Sequence, residues 1–240
     1  LSGLMLRREG RSLWGRHRLL LSLRGLAGFA ALLCFFYAIT HLPLGDATVI
    51  QYLNPVFTAL LAALLLGESL RGSVLVGTVG SLAGVALIAQ PAFLFGRAAR
   101  LDPYAVSIGI LGALLSAAAY VLVRRLKGRE HYLVIVFYFS LAGTIGALPV
   151  SVPVWVWPSW TGWGLLLAIG GVTQVAQIYM TRGLHLEEAG RATAIGYLQP
   201  VFAFAWGAIF FGEHPGWLGA LGAVLVLGGT FVIAWTRKSE

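Results

Sequence analysis

Apolar residues run through this chain in long blocks, and the polar positions collect in short gaps between them. Eight blocks, near 17–41, 47–66, 73–95, 103–124, 131–151, 160–184, 191–211 and 216–236, reach or approach the length of about 20 residues that a helix needs to cross a hydrocarbon core of roughly 30 Å. No block alternates apolar and polar residues with a period of two, so the pattern excludes a membrane β-barrel. The gaps carry turn and interface chemistry: Leu42-Pro43-Leu44-Gly45, Gln90-Pro91, and Asp102-Pro103 with the proline placed to start a helix. Pro153, Trp155, Trp157, Pro158, Trp160 and Trp163 read as an aromatic belt at one membrane face. The predicted fold is all-α: a polytopic bundle of transmembrane helices.

Composition sharpens this reading. Of the 240 residues 58% are hydrophobic and 11% are charged, against roughly a quarter charged in a soluble domain. Most of the surface must therefore meet lipid, and the 31 glycines suit helices that approach closely. A formal charge of +8 would suggest nucleic acid in a soluble protein. Here the positions of the charges decide. With eight spans and the first segment inside, all but two of the 17 lysines and arginines fall in or beside the inside loops. Arg7, Arg8, Arg11, Arg16, Arg18 and Arg24 lead, followed by Arg71, Arg124, Arg125, Lys127, Arg129, Arg182, Arg191, Arg237 and Lys238. Only Arg97 and Arg100 lie outside. This asymmetry predicts an integral membrane protein with both termini cytoplasmic and no nucleic-acid partner; a bacterial-type plasma (inner) membrane is the expected location. Cys34 is the single cysteine and sits in an apolar block, so no internal disulfide forms.

The chain repeats itself. GDATVIQYLNPVF from Gly45 and GRATAIGYLQPVF from Gly190 align at an offset of 145 residues, and the match continues to Gly67-Glu68 and Gly212-Glu213 without a gap. Gly77 then matches Gly222, and Gly84 matches Gly229. Apolar similarity alone does not predict matched threonine, tyrosine, proline and glutamate. By the predicted topology the helix after Gly45 runs inward and its twin after Gly190 runs outward. Homologous units of opposite topology are the inverted repeat of secondary transporters. The chain is expected to divide into residues 1–95, holding three helices of the first repeat after a basic loop, and 96–240, holding all five of the second. Two further helices are expected ahead of Leu1.

At these residues the chain resembles the drug/metabolite transporter superfamily, and within it the EamA-type ten-helix permeases. Arg24-Gly25, the stretch from Phe36-Tyr37-Ala38 to Leu42-Pro43, Asn54-Pro55-Val56-Phe57 with Gly67-Glu68, and Gln199-Pro200-Val201-Phe202 with Gly212-Glu213 carry the resemblance. It implies ten helices in two inverted five-helix repeats, of which eight are visible here, and alternating access around a central cavity. It implies export of small polar metabolites such as amino acids or their derivatives. Multidrug efflux of lipophilic cations is the alternative, and a scaffold that has lost transport is another. Dimers occur in the family, so a homodimer is allowed, although two repeats can close a bundle within one chain.

Transport needs polar groups at mid-membrane. Gln51, Asn54 and Thr58 step by three and four along one helical face. The amides of Gln51 and Asn54 both donate and accept, which suits a neutral or zwitterionic solute. Thr173, Gln174, Gln177 and Thr181 form a second stripe, and Tyr37, Tyr120 and Tyr197 could stack on or bond to a solute. All of these would serve equally as bonds between helices. Pro55 and Pro200 each remove a backbone donor inside a span, which makes matched kinks or hinges. Arg24 would either meet an anionic substrate group or snorkel to the interface. Glu68 and Glu213 fall at helix ends beside Gly67 and Gly212 and read as caps or loop bridges, with proton binding as the alternative. Gly80 and Gly84 have the spacing of a close helix crossing.

Enzyme chemistry has no support in the pattern. His17, His41, His131, His185 and His214 lie in loops or at interfaces without ligand spacing, and Ser107 and Ser116 have no histidine near them in their spans. No metal, cofactor or catalytic residue is expected, and no channel-like ring of charge appears. The partners implied are a small-molecule substrate and the lipid bilayer.

Overall fold

A computed structural model describes residues 2–10, 12–70, 72–96, 101–212 and 216–235, except for the side chain of Phe211. Arg11, Arg71, Arg97, Arg100, Glu213, His214, Arg237 and Lys238, which figure in the sequence pattern, lie outside the described residues. The described residues form helices and turns with no strand. Eight helical spans are long and apolar enough to cross a membrane: Arg18–His41, Leu44–Leu66, Gly72–Ala89, Pro103–Arg125, Tyr132–Val154, Trp160–Leu186, Ala189–Phe210 and Trp217–Trp235. Their outer faces are apolar, with Leu64 80% and Trp160 92% exposed. Apolar surface of that extent suits a membrane setting.

The helices are α1 (Ser2–Arg8), α2 (Arg18–His41), α3 (Leu44–Gln51), α4 (Asn54–Leu66), α5 (Gly72–Ala89), α6 (Ala92–Phe95), α7 (Pro103–Arg125), α8 (Tyr132–Ser151), α9 (Trp160–Leu186), α10 (Ala189–Ala194), α11 (Leu198–Phe211) and α12 (Trp217–Trp235). Several borders shift by a few residues from the sequence reading, and two of the shifts have a local cause. The span predicted from 47 begins at Leu44, because Pro43 holds extended backbone as the N-cap and the helix starts directly after it. The span predicted to 95 ends at Ala89. There Gln90 turns left-handed (φ 44°), and Pro91 sits extended ahead of α6.

The chain forms two compact units, Leu1–Phe29 with Leu122–Glu187, and Ala30–Val121 with Glu188–Glu240. Each draws on both halves of the sequence. In the first unit, helix ends are closed by side chains from elsewhere in the chain. Glu130 accepts from the backbone N–H groups of Arg16 and His17, where α2 begins. Arg124 donates to the carbonyls of Leu184 (3.2 Å) and His185 (3.4 Å), a cation at the negative end of α9. Ser159 caps the start of α9 by accepting from the N–H of Gly162.

The second unit is centred on α5 against α12. A Cβ built on Gly77 would lie 2.6 Å from the Gly229 oxygen, and one on Gly229 2.5 Å from the Gly77 oxygen. Gly84 and Gly222 stand in the same reciprocal relation at 2.5 Å each way. Between them Ser81 donates to the Val226 carbonyl, 145 residues on. The close crossing thus uses Gly77, Ser81 and Gly84, at i, i+4 and i+7. Gly80, expected at the crossing, faces open space.

Candidate functional site

Both central spans of the second unit break at the same place. Gln51 ends α3 and Asn54 begins α4, with Pro55 in the first turn. At the equivalent point α10 gives way to a 3-10 turn, Ile195–Tyr197, before α11. A proline has no N–H, so the carbonyls of Gln51 and Gly196, four residues back from Pro55 and Pro200, lose their α-helical donors, and the Gly196 carbonyl accepts a backbone N–H at the end of the 3-10 turn instead. Each break lies near the midpoint of its span, Leu44–Leu66 and Ala189–Phe210. Pro55 therefore restarts a helix and Pro200 follows one turn after the 3-10 segment. At both places the backbone stays near the right-handed helical region while the regular helical hydrogen bonding is interrupted.

At these breaks the second unit holds a cavity of about 710 Å³. Gln51, Asn54, Thr48 and Tyr52 line it from one copy of the repeat, Gln199, Pro200 and Phe204 from the other, and Phe35 and Tyr120 complete the wall. Its polar side chains are amides and hydroxyls, and among the described residues no charged side chain lines it. The size is that of a pocket for a small molecule.

Of the residues singled out in the sequence, Gln51, Asn54 and Tyr120 meet in this cavity. Thr58 does not line it. The stripe presumes one unbroken helix, and past the break Thr58 is fully buried with its hydroxyl on the Asn54 carbonyl, 2.7 Å away. Tyr197 is also fully buried, stacked on Tyr52 at 5.8 Å, and its hydroxyl is committed to the Tyr52 carbonyl at 3.0 Å. Tyr37 stacks on His41 at 3.9 Å and meets Tyr104 edge-on. Gly67 and Gly212 are left-handed C-caps of α4 and α11. Glu68 accepts from the N–H of Ala189 at 2.8 Å, while its repeat mate Glu213 is outside the described residues.

Gln174 and Gln177 belong to the first unit. Gln174 accepts from Ser140 at 3.0 Å, and Gln177 accepts from Arg24 at 3.3 Å. Arg24 is 2% exposed, with its guanidinium 4.4 Å from the centre of the Phe139 ring. The side chain turns into its own unit, and so it does not snorkel.

Sequence reasoning misses Gln199 and Thr48 as lining residues. The repeat itself holds the signal for one of them, because Gln199 occupies the position of Asn54. It misses Asp46 too. That residue is fully buried in the first turn of α3, and its Oδ1 accepts from the N–H of Phe93 at 3.3 Å.

Comparison with known proteins agrees with this architecture. The profile of the EamA-like transporter family matches residues 1–90 and 103–235. The chain is similar to the pseudopaline exporter CntI of Pseudomonas aeruginosa, 35% identical over 98% of this chain and 81% of that protein. It is also similar to the S-adenosylmethionine uptake transporter of Rickettsia prowazekii, 25% identical over 91% of this chain and 72% of that one. A solved crystal structure shares the fold, with a TM-score of 0.82 at 22% identity, and covers 100% of this chain and 84% of its own.

Proposed function

The chain belongs to the EamA-like transporter family, and on that premise we propose that this membrane transporter exports small polar metabolites, such as amino acids or their derivatives, by alternating access. The observation that carries the proposal is the uncharged polar cavity at the two helix breaks. Gln51, Asn54 and Gln199 supply amides there, and Thr48, Tyr52 and Tyr120 supply hydroxyls. Such groups replace the water around a neutral or zwitterionic solute without demanding a counter-charge. The Pro55 break adds the Gln51 carbonyl, whose helical donor the proline removes. Export is supported by the exporter among the relatives, which is the more similar of the two described. Efflux of lipophilic cations is the weaker reading, since among the described residues no carboxylate lines the cavity.

The distribution of lysine and arginine supports cytoplasmic termini. The 145-residue offset supports residues 1–95 and 96–240 as parts of two inverted repeats.

Energised inverted vesicles carrying the chain, offered a metabolite mixture and analysed by mass spectrometry, test the function. Selective uptake of one solute class is expected. A Gln51→Leu/Asn54→Leu variant should lower it roughly 5–100-fold, the equivalent of two lost hydrogen bonds. Equal uptake by the variant would remove these residues from the site. No uptake above background by folded protein would remove the transport reading.

A further inference from the structure

The offset of 145 residues acts within the second unit as a twofold relation. It turns the contact of Gly77 with Gly229 into that of Gly222 with Gly84, and both are present. It turns Tyr52 into Tyr197, and those two touch. The contact of α10 with α4 breaks the rule. Helix α10 rests on α4, where a Cβ built on Gly190 would lie 2.9 Å from the Ala59 Cβ. The N–H of Ala189 donates to Glu68 beside it. The offset turns Gly190 into Gly45 and Ala59 into Phe204. The image of the closed contact would therefore be Gly45 on Phe204, but these two residues line the cavity.

Gly45 leans the other way. A Cβ built there would lie 2.3 Å from the Ala89 oxygen and 3.5 Å from the Pro91 Cα. Asp46 fastens the same turn to the N–H of Phe93. Two near-identical segments, GDAT and GRAT, thus rest on non-equivalent neighbours. A glycine at each permits close backbone approach.

We propose that Gly190 on Ala59, latched by Glu68, is a shut gate, that Gly45 and Phe204 form the open counterpart, and that the two exchange. In the exchanged state α3 leaves the end of α5 and closes on α11 while α10 leaves α4. The cavity between α3 and α11 then disappears. The Glu68 bond is charge-assisted and present only in the state seen here, so weakening it moves the population toward the exchanged state. This inference rests on the transport reading above and assigns the moving contacts within it.

The test replaces Cys34, the only cysteine, by serine and places the protein in liposomes. Thr48→Cys alone is labelled with a charged maleimide, with and without Glu68→Gln. Thr48→Cys/Phe204→Cys is oxidised mildly and examined for a disulfide by mass spectrometry. The disulfide is expected to form in the oxidised double variant and to be absent once reductant is added. Glu68→Gln is expected to slow labelling of Thr48→Cys roughly threefold or more, in proportion to the lost latch. No disulfide in protein that elutes as one folded species overturns the exchange, as does a labelling rate unaffected by Glu68→Gln. Solute movement by the parent is recorded alongside. A parent that moves nothing while 48 and 204 link keeps the gate and removes the transport reading.

Discussion

The hydroxyl of Tyr197 donates to the backbone carbonyl of Tyr52, 3.0 Å away, and the two tyrosines hold the same position in the two copies of the repeat. The symmetry stops at the rings. Tyr197 is fully buried, whereas Tyr52 is partly exposed and lines the cavity.

The two substitutions should therefore separate. Tyr197→Phe leaves a helix-break carbonyl without its partner and is expected to cost about 1–3 kcal/mol. Tyr52→Phe removes a cavity hydroxyl and should alter transport more than stability. Reversible unfolding in mixed micelles and the vesicle assay read the two effects. Equal losses of stability would show that the bond to the carbonyl contributes nothing.

At the α5–α12 crossing, Gly84→Ala should prevent close approach, because its new methyl would lie 2.5 Å from the Gly222 oxygen. Gly80→Ala meets nothing and should stabilise by up to about 1 kcal/mol through helix propensity. The amount of folded protein recovered from membranes and its unfolding midpoint distinguish the two. A tolerated Gly84→Ala would mean that the crossing is looser than the backbone contacts imply.

Arg24 and Phe139 should be coupled. A buried guanidinium over a ring is worth about 0.5–2 kcal/mol, and lysine does not reproduce its planar contact. A double-mutant cycle of Arg24→Lys and Phe139→Leu is expected to return coupling of that size. Strict additivity would count against the ring contact.

Gln199→Leu should reduce solute uptake about as much as Asn54→Leu, because the two side chains come from equivalent positions and line one cavity. Each should leave unfolding nearly unchanged. An unimpaired Gln199→Leu would confine the site to one copy of the repeat.

The spans, the repeat and the polar chemistry near the helix breaks are legible in the residues because each has a long signal: twenty apolar positions, or two dozen aligned ones. The features that stay hidden turn on single torsions and on neighbours distant in sequence. Three-and-four spacing puts Thr58 in the stripe, but spacing does not show which neighbours cover it, and there it is fully buried with its hydroxyl on the Asn54 carbonyl. Gly80 fits a motif by spacing, yet the partner helix selects Gly77 and Gly84 instead. Arg24 looks like an interfacial residue by position. Phe139 and Gln177, more than a hundred residues away, hold it inward. Asp46 stands in an apparent loop, and only the start of α3 directly after Pro43 shows it to be a buried helical carboxylate.

Ser81 and Val226 meet across the line that maps one copy of the repeat onto the other. A contact placed there is its own mirror in function: whichever side of the unit is open, it looks the same. Changes at this seam weigh on both conformations alike, so they alter how much protein survives and not how it divides its time. Sites away from the line, such as Gly190 and Gly45, are weighted unequally by the two conformations. Damage to the seam should show in yield and unfolding, while damage at the gates should show in turnover.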